Sequence, residues 1–141
     1  MLPEEKQQTL AAQYGPIEDV QERLTLLVDR ARKRAPLDPA FKTDATRVHG
    51  CTSRVWLVPS LEDGCCRFLL DADSNLVRGL ASILCEIYDG AQPAEIVAVE
   101  PEILERLHIL PNLSPTRRHG LQQVRKVIRE FAAAQTGAPP S

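Results

Sequence analysis

The feature that most constrains the fold is the unusually broad apolar face carried by residues 76–88. Apolar side chains recur there at steps of three and four residues and extend onto neighbouring positions: Leu76, Val77, Leu80, Ala81, Ile83, Leu84, Ile87 and Tyr88. A helix that is apolar around so much of its circumference has to be covered from more than one side. The spacing therefore predicts a central, buried helix, with Asp71, Asp73 and Ser74 as N-cap candidates and Gly90 after its end.

Helical periodicity predicts further helices on both sides of this segment. They span residues 4–14, 16–35, 93–97 and 101–107, and the chain from residue 115 onward. Pro16 can occupy the first turn of the second helix, where its missing N–H has no cost, and Pro36 stops that helix. Ser114 followed by a proline is a common N-cap sequence for the last helix.

A strand pattern separates the second helix from the central one. Residues 48–58 are rich in β-branched and aromatic side chains, and a strand over residues 65–70 would place Cys66, Phe68 and Leu70 on one face. Residues 59–64 between them end in Asp-Gly, which favours a tight turn. These segments predict an antiparallel hairpin, which needs a third strand or covering helices to be stable. The pattern leaves open a third strand around residues 48–51 or a bend within the first strand.

The order of these elements predicts an α+β fold, in which a small antiparallel sheet packs against helices. A chain of 141 residues is long enough to bury one core. We therefore expect a single domain over residues 1–135 and a disordered tail over residues 136–141.

The overall charge and the apolar windows exclude several classes of protein. A formal charge of −2 argues against a general nucleic-acid surface, which needs a basic excess. The first residues lack the cationic and apolar regions of a secretory signal, and the apolar windows are too short or too polar to span a bilayer. We expect a soluble, cytoplasmic protein with reduced thiols.

The four cysteines do not have the spacing of a zinc site, and the usual catalytic motifs are missing. Cys65 and Cys66 are adjacent, so the chain offers no CxxC knuckle. It also lacks a GxSxG elbow, a Walker loop, a GxGxxG turn and an HExxH helix. Hydrolase, nucleotide-binding and metalloprotease functions therefore have no support.

The potential chemistry is concentrated in residues 47–56, around Cys51. Gly50 before it allows another group to approach closely. A positive neighbour such as His49 or Arg54 would increase the thiolate fraction of a thiol whose ordinary pKa is about 8.5. Because the partners of a lone cysteine are spatial rather than sequential, spacing alone allows either a reactive thiol or a small buried side chain.

Three ordered motifs resemble those of the SufE family. The first reads Val-x-Gly-Cys-x-Ser-x-Val-Trp and is matched by Val48, Gly50, Cys51, Ser53, Val55 and Trp56. The second, an Asp-x-Asp segment that runs into a Val-x-Gly-Leu helix, is matched by Asp71, Asp73, Val77, Gly79 and Leu80. The third reads Leu-x-Pro-x-Arg-x-x-Gly-Leu and is matched by Leu113, Pro115, Arg117, Gly120 and Leu121. Together they cover most of the chain.

The resemblance implies a SufE/IscU-like fold and a function in iron–sulfur cluster assembly. Cys51 would accept persulfide sulfur from a SufS-like cysteine desulfurase, stimulate that enzyme and pass the sulfur to a SufBCD-like scaffold. Pyridoxal phosphate would belong to the desulfurase, so this chain would need no cofactor of its own. It would act as a sulfur-transfer partner rather than as a stand-alone enzyme.

The same resemblance implies a set of supporting residues around Cys51. Gly50 and Ser53 would help to build the site, and Asp71 and Asp73 would act as helix caps close to it. Arg117 would contact the partner or support the loop, or else stabilise the first turn of the last helix.

Two alternatives remain open at this point. One is a cluster scaffold or metal-binding protein of IscU-like fold, although a scaffold needs several convergent ligands and the motif offers one cysteine. The other is an interaction domain with a vestigial thiol. If Cys51 is sheltered at rest, its loop has to move when the partner docks.

Overall fold

The structure, a computed structural model, describes residues 2–137 and places six helices around a two-stranded antiparallel hairpin in that range. The elements are α1 (Pro3–Tyr14), α2 (Val20–Arg32), β1 (Val55–Glu62), β2 (Cys65–Ala72), α3 (Asn75–Tyr88), α4 (Pro93–Ala98), α5 (Ile103–Arg106) and α6 (Pro115–Thr136). Two short 3₁₀ turns, Pro39–Phe41 and Leu110–Asn112, lie in the connections. The predicted α+β fold is confirmed.

Helix α3 is the centre of the molecule, as its broad apolar face predicts. It contacts α1, α2, α6 and β2, and most of its residues from Gly79 to its end are buried. A Cβ placed on Gly79 would lie 2.9 Å from Cγ2 of Val28, so the glycine allows α2 and α3 to pack closely. The N-cap is Ser74, whose Oγ accepts from the N–H of Val77.

The hairpin turns later than the sequence predicts. Its register runs from Val55 opposite Ala72 to Glu62 opposite Cys65, so the predicted turn over residues 59–64 is wrong over its first four residues, which belong to β1. Pro59 is accommodated within β1 because the side of the strand on which its N–H would lie is the free edge. The turn itself consists of Asp63 and Gly64, both with positive φ.

The two faces of β2 separate as the alternation predicts. Cys66, Phe68 and Leu70 point into the core, whereas Leu69 is 53% exposed on the opposite face. Phe68 meets Phe131 of α6 edge-on, with ring centroids 6.2 Å apart. The sheet is therefore covered by helices on one side.

The helix ends differ in detail from the prediction. Helix α2 begins at Val20 rather than at residue 16, because Asp19 caps it by accepting from the N–H of Gln21. Helix α6 continues to Thr136, one residue past the predicted domain end, and Gly137 follows it in the left-handed conformation. The rest of the predicted tail, residues 138–141, lies outside the described residues. Within residues 2–137, no helix combines the length and apolarity that crossing a membrane requires.

Candidate functional site

Cys51 lies in a loop, residues 49–54, and not in a strand. The N–H of Val48 donates to the carbonyl of Val55 over 2.8 Å, so the chain reverses between these two residues. The expected strand over residues 48–58 is therefore wrong before Val55. Of the two alternatives left open for this segment, the structure has a bend, with an isolated bridge between Arg47 and Trp56 instead of a third strand. The reversal requires Gly50, whose φ is +88°, in a region that other residues rarely adopt.

Asp73 fastens one end of this loop and does not cap a helix. Its Oδ1 accepts from the backbone N–H of Arg54 over 3.0 Å, and its own N–H donates to the carbonyl of Arg54 over 3.0 Å. The guanidinium of Arg54 adds an ion pair to the same carboxylate, with Nε 3.5 Å from Oδ2. Arg54 therefore points to Asp73, and the predicted capping role of Asp73 is wrong because Ser74 already fills that position.

Asp71 is a buried anchor for the chain between α2 and β1, and it is not a cap either. Its carboxylate accepts from the N–H groups of Leu37 and Ala72 and pairs with Lys42, whose Nζ is 3.2 Å from Oδ2. Nε of Arg78 lies 3.2 Å from the other oxygen. Burial acts to raise the pKa of Asp71, but the hydrogen bonds and Lys42 outweigh burial and hold the pKa below its ordinary value.

The sulfur of Cys51 rests against helix α6. Its Sγ donates to the carbonyl oxygen of Gly120 over 3.4 Å, and the side chain is half-buried. A Cβ on Gly120 would lie 3.4 Å from that sulfur, so a glycine here lets the thiol sit close to the helix backbone. Gly120 appears in the third sequence motif but was not predicted as a site residue. A glycine inside a helix, where it costs about 1 kcal/mol relative to alanine, was the available signal.

A cavity of about 180 Å³ opens beside the thiol. It is lined by Cys51, Thr52, Ser53, Val77, Ser114, Thr116, Arg117 and Gly120. The structure thus brings the predicted residues Ser53 and Arg117 together with Cys51, whereas Asp71 and Asp73 do not line this cavity. Gly50 does not line the cavity but packs against α6, where an added Cβ would meet the side chains of Gln123 and His119 at 3.1 and 3.4 Å.

The site favours a protonated thiol at rest. Burial raises the pKa of Cys51 above its ordinary value, and the positive charge of Arg47 opposes this shift only in part. Arg117 extends from the first turn of α6, where its own N–H donates to Oγ of Ser114. Its guanidinium forms no hydrogen bond or ion pair with the other described residues.

The remaining cysteines lie away from this cavity. Cys66 and Cys85 are fully buried, and burial raises the pKa of Cys85 to about 12. Cys65 is half-buried on the opposite face of β2 from Cys66. Between residues 2 and 137, no three histidine, cysteine or acidic side chains gather closely enough to hold a metal ion.

Fold and site together define a class of small α+β proteins in which one loop thiol rests against a glycine of the last helix. Residues 8–132 match the model of the SufE family, described as an Fe-S metabolism associated domain. The chain belongs to the SufE family, which connects it with iron–sulfur metabolism. The predicted resemblance is confirmed.

Individual relatives agree with this assignment. An uncharacterised SufE-like protein of Synechocystis is 32% identical over 116 residues, which make up 82% of this chain and 73% of that protein. A chloroplastic quinolinate synthase of Nicotiana tabacum is 30% identical over a gapped alignment of 143 positions, which covers 95% of this chain but 20% of the larger protein. The solution structure of a hypothetical protein from Thermus thermophilus superposes with a TM-score of 0.77 at 21% identity, covering 98% of this chain and 100% of that one. The last similarity concerns the fold.

Proposed function

We propose that this protein is a sulfur carrier in iron–sulfur cluster assembly and that the transferred sulfur atom is bound to Cys51 as a persulfide. Cys51 accepts sulfur from the cysteine persulfide of a SufS-like, pyridoxal-phosphate-dependent desulfurase and delivers it to a SufBCD-like scaffold. The observation that carries the proposal is the position of Cys51 in a SufE-family chain: a loop thiol held against Gly120 beside an open cavity.

The transfer is a thiol–disulfide exchange reaction. The thiolate of Cys51 attacks the outer sulfur of the donor persulfide, a new sulfur–sulfur bond forms, and the donor cysteine leaves with the electrons of the broken bond. Because burial raises the pKa of Cys51, the thiolate fraction at rest is smaller than that of an exposed thiol, and the isolated protein reacts more slowly than an exposed thiol would. Docking that moves the loop out of contact with Gly120 removes this burial and raises the thiolate fraction.

The supporting residues confine that movement to a short stretch. Gly50 supplies a backbone conformation at which the loop can turn, while the bonds between Arg54 and Asp73 hold its far end. Asp71 acts at longer range by holding the chain that precedes the loop. Arg117, unpaired within the described chain, is available to a docked partner or to an anion in the cavity.

The test is the turnover of a SufS-like desulfurase in the presence of the wild-type protein or its Cys51→Ser variant. We expect the wild type to stimulate cysteine turnover and to gain the mass of one sulfur atom at Cys51, and the variant to do neither. Cys65→Ser is the matched control, because this half-buried thiol lies outside the cavity and its loss leaves stimulation unchanged. Stimulation by Cys51→Ser equal to that of the wild type would disprove the proposal. Stoichiometric iron or zinc in the purified protein would favour a scaffold function instead.

A further inference from the structure

The chemistry of the cavity wall suits an anion. Its described lining residues include no carboxylate. Among them are three residues with hydroxyl side chains, Thr52, Ser53 and Thr116, and one with a guanidinium, the exposed Arg117. The wall also contains the first turn of α6, a helix of 22 residues whose dipole places partial positive charge at this end. Two N–H groups of this turn, those of Arg117 and Arg118, already donate to Ser114, so they contribute through the dipole rather than as free donors. Hydroxyl donors, a guanidinium and a helix start are the groups that bind sulfur and phosphorus oxyanions in proteins.

The size of the cavity exceeds what the thiol alone needs. Its volume is about 180 Å³, whereas a water molecule takes up roughly 30 Å³. The space therefore accommodates a tetrahedral oxyanion next to the Cys51 sulfur. Arg117 can meet such a group with two parallel N–H donors, since no other described residue occupies its guanidinium.

We propose that this cavity binds a small anionic sulfane-sulfur donor, of which thiosulfate is the simplest, and that Cys51 takes up its outer sulfur without a partner protein. This inference rests on the proposed function, because both make Cys51 the sulfur acceptor. Arg117 is the binding residue for the oxyanion end of the donor. The hydroxyl side chains of the wall complete its hydrogen bonds.

The reaction needs no added oxidant or reductant. The Cys51 thiol first releases its proton to water, and the thiolate attacks the outer sulfur of thiosulfate. One sulfur–sulfur bond forms as the other breaks, and sulfite leaves with the electron pair of the broken bond. The products are the Cys51 persulfide anion and sulfite, with the same atoms and the same total charge as the reactants.

The experiment uses the reduced full-length chain and thiosulfate, with no desulfurase present. We expect sulfite release together with the addition of one sulfur atom at Cys51, and neither in Cys51→Ser. Arg117→Gln should slow loading by about tenfold or more, because it removes both charge-assisted hydrogen bonds that the guanidinium would make to the oxyanion. Lys126→Gln is the matched control, because it removes one positive charge from the exposed face of the same helix, outside the cavity. It should load at the wild-type rate.

A second measurement separates anion binding by Arg117 from a merely structural role. Cys51 is alkylated with iodoacetate, which is anionic, and with iodoacetamide, which is neutral and of similar size. The rate with iodoacetate divided by the rate with iodoacetamide should fall several-fold in Arg117→Gln and stay unchanged in Lys126→Gln. An unchanged ratio in Arg117→Gln would overturn the role assigned to this residue.

The outcomes also distinguish this inference from the proposed function. Loading of Cys51 by a desulfurase but not by thiosulfate would overturn the inference and leave the proposed function standing. Loading by thiosulfate but not by a desulfurase would support the inference and count against the proposed partner. Equal sulfite release from Cys51→Ser and the wild type would show that Cys51 is not the acceptor from thiosulfate and would overturn the inference.

Discussion

The sulfur of Cys51 lies close to the backbone of α6 because position 120 carries no side chain. The contact joins two residues that are 69 positions apart in the chain. Nothing in the sequence around either residue points to a contact between them, so the partial burial of the thiol cannot be predicted from local sequence pattern. What the sequence does indicate is the reactive candidate itself, through the glycine and the small residues beside it.

Enlarging residue 120 should expose the thiol. In Gly120→Ala the new Cβ would lie 3.4 Å from the sulfur, and in Gly120→Val the added methyl groups leave no room for it. We expect the rate of Cys51 alkylation by iodoacetamide to rise several-fold from glycine to alanine to valine. The alanine variant should stay folded, since alanine favours the helix by about 1 kcal/mol over glycine.

The matched control for this series is Gln122→Ala and Gln122→Val, on an exposed position of the same helix that does not touch Cys51. These variants should leave the alkylation rate unchanged. A rate that does not respond to the size of residue 120 would show that Gly120 does not shelter the thiol.

Asp71 should make stability depend on pH in the acid range. Because its pKa in the folded protein lies below its ordinary value, its contribution is fully present above the unfolded pKa of about 3.9. The contribution is lost as the pH falls through the lower, folded pKa. We expect Asp71→Asn to be destabilised at neutral pH, with the gap to the wild type closing below pH of about 4. Urea midpoints measured from pH 3 to 7 for both proteins test this; a gap that stays constant with pH would contradict it.

At the scale of elements, hydrophobic periodicity is enough to predict the helices but does not predict the loop around Cys51. The helical spacing of α3 extends over many residues, and its N-cap and end follow local rules. Residues 48–54 contain β-branched side chains that also suit a strand. The backbone hydrogen bond between Val48 and Val55 nevertheless closes a loop, and the chain turns back between these two residues. The roles of Asp71 and Asp73 were mistaken because their partners, Leu37 and Arg54, lie far from them in sequence.

Because Asp73 holds one end of residues 49–54, we expect this loop to open more often when the Asp73 side chain is removed. Asp73→Ala leaves the N–H of Arg54 without its acceptor and abolishes the ion pair. We expect Cys51 alkylation to become several-fold faster, while the free energy of unfolding falls by no more than about 1 kcal/mol, because both groups are exposed. Asp29→Ala, which removes an exposed ion pair with Arg32, is the control and should not change the alkylation rate. Equal rates in the wild type and Asp73→Ala would contradict the fastening role.

At the scale of the whole molecule, a single buried guanidinium ties separate parts of the chain together. Arg23 of α2 donates to the carbonyls of Gly15, Ile17 and Leu107 over 2.9, 2.6 and 2.9 Å. It thereby joins the end of α1 and the residue that follows α5 to one side chain. The sequence does not single out Arg23 from the other polar residues of its helix. Its acceptors are backbone carbonyls, which every residue has, so no residue type elsewhere in the chain points to them.

Removing this connection should lower the stability of the entire domain. Arg23→Met keeps the apolar stem but leaves three carbonyls without a donor, and we expect a loss of roughly 2–4 kcal/mol in the free energy of unfolding. Arg32→Met, at an exposed position near the end of the same helix, should cost less than about 0.5 kcal/mol. Urea unfolding of both variants provides the measurement. Equal free energies of unfolding of the two variants would show that the hydrogen bonds of Arg23 do not stabilise the domain.

The two fastened ends of residues 49–54 also set how far the sulfur can travel. Cys51 lies three residues beyond Val48, whose hydrogen bond to Val55 fixes it to the hairpin. A fully extended chain spans about 3.5 Å per residue, so the loop can carry the thiol roughly 10 Å from that anchor. A donor sulfur recessed deeper than this in its own protein is out of reach unless it sits on a mobile segment of its own. For the proposed sulfur transfer, the length of this loop would favour partners whose sulfur lies near the surface or moves outward to meet Cys51.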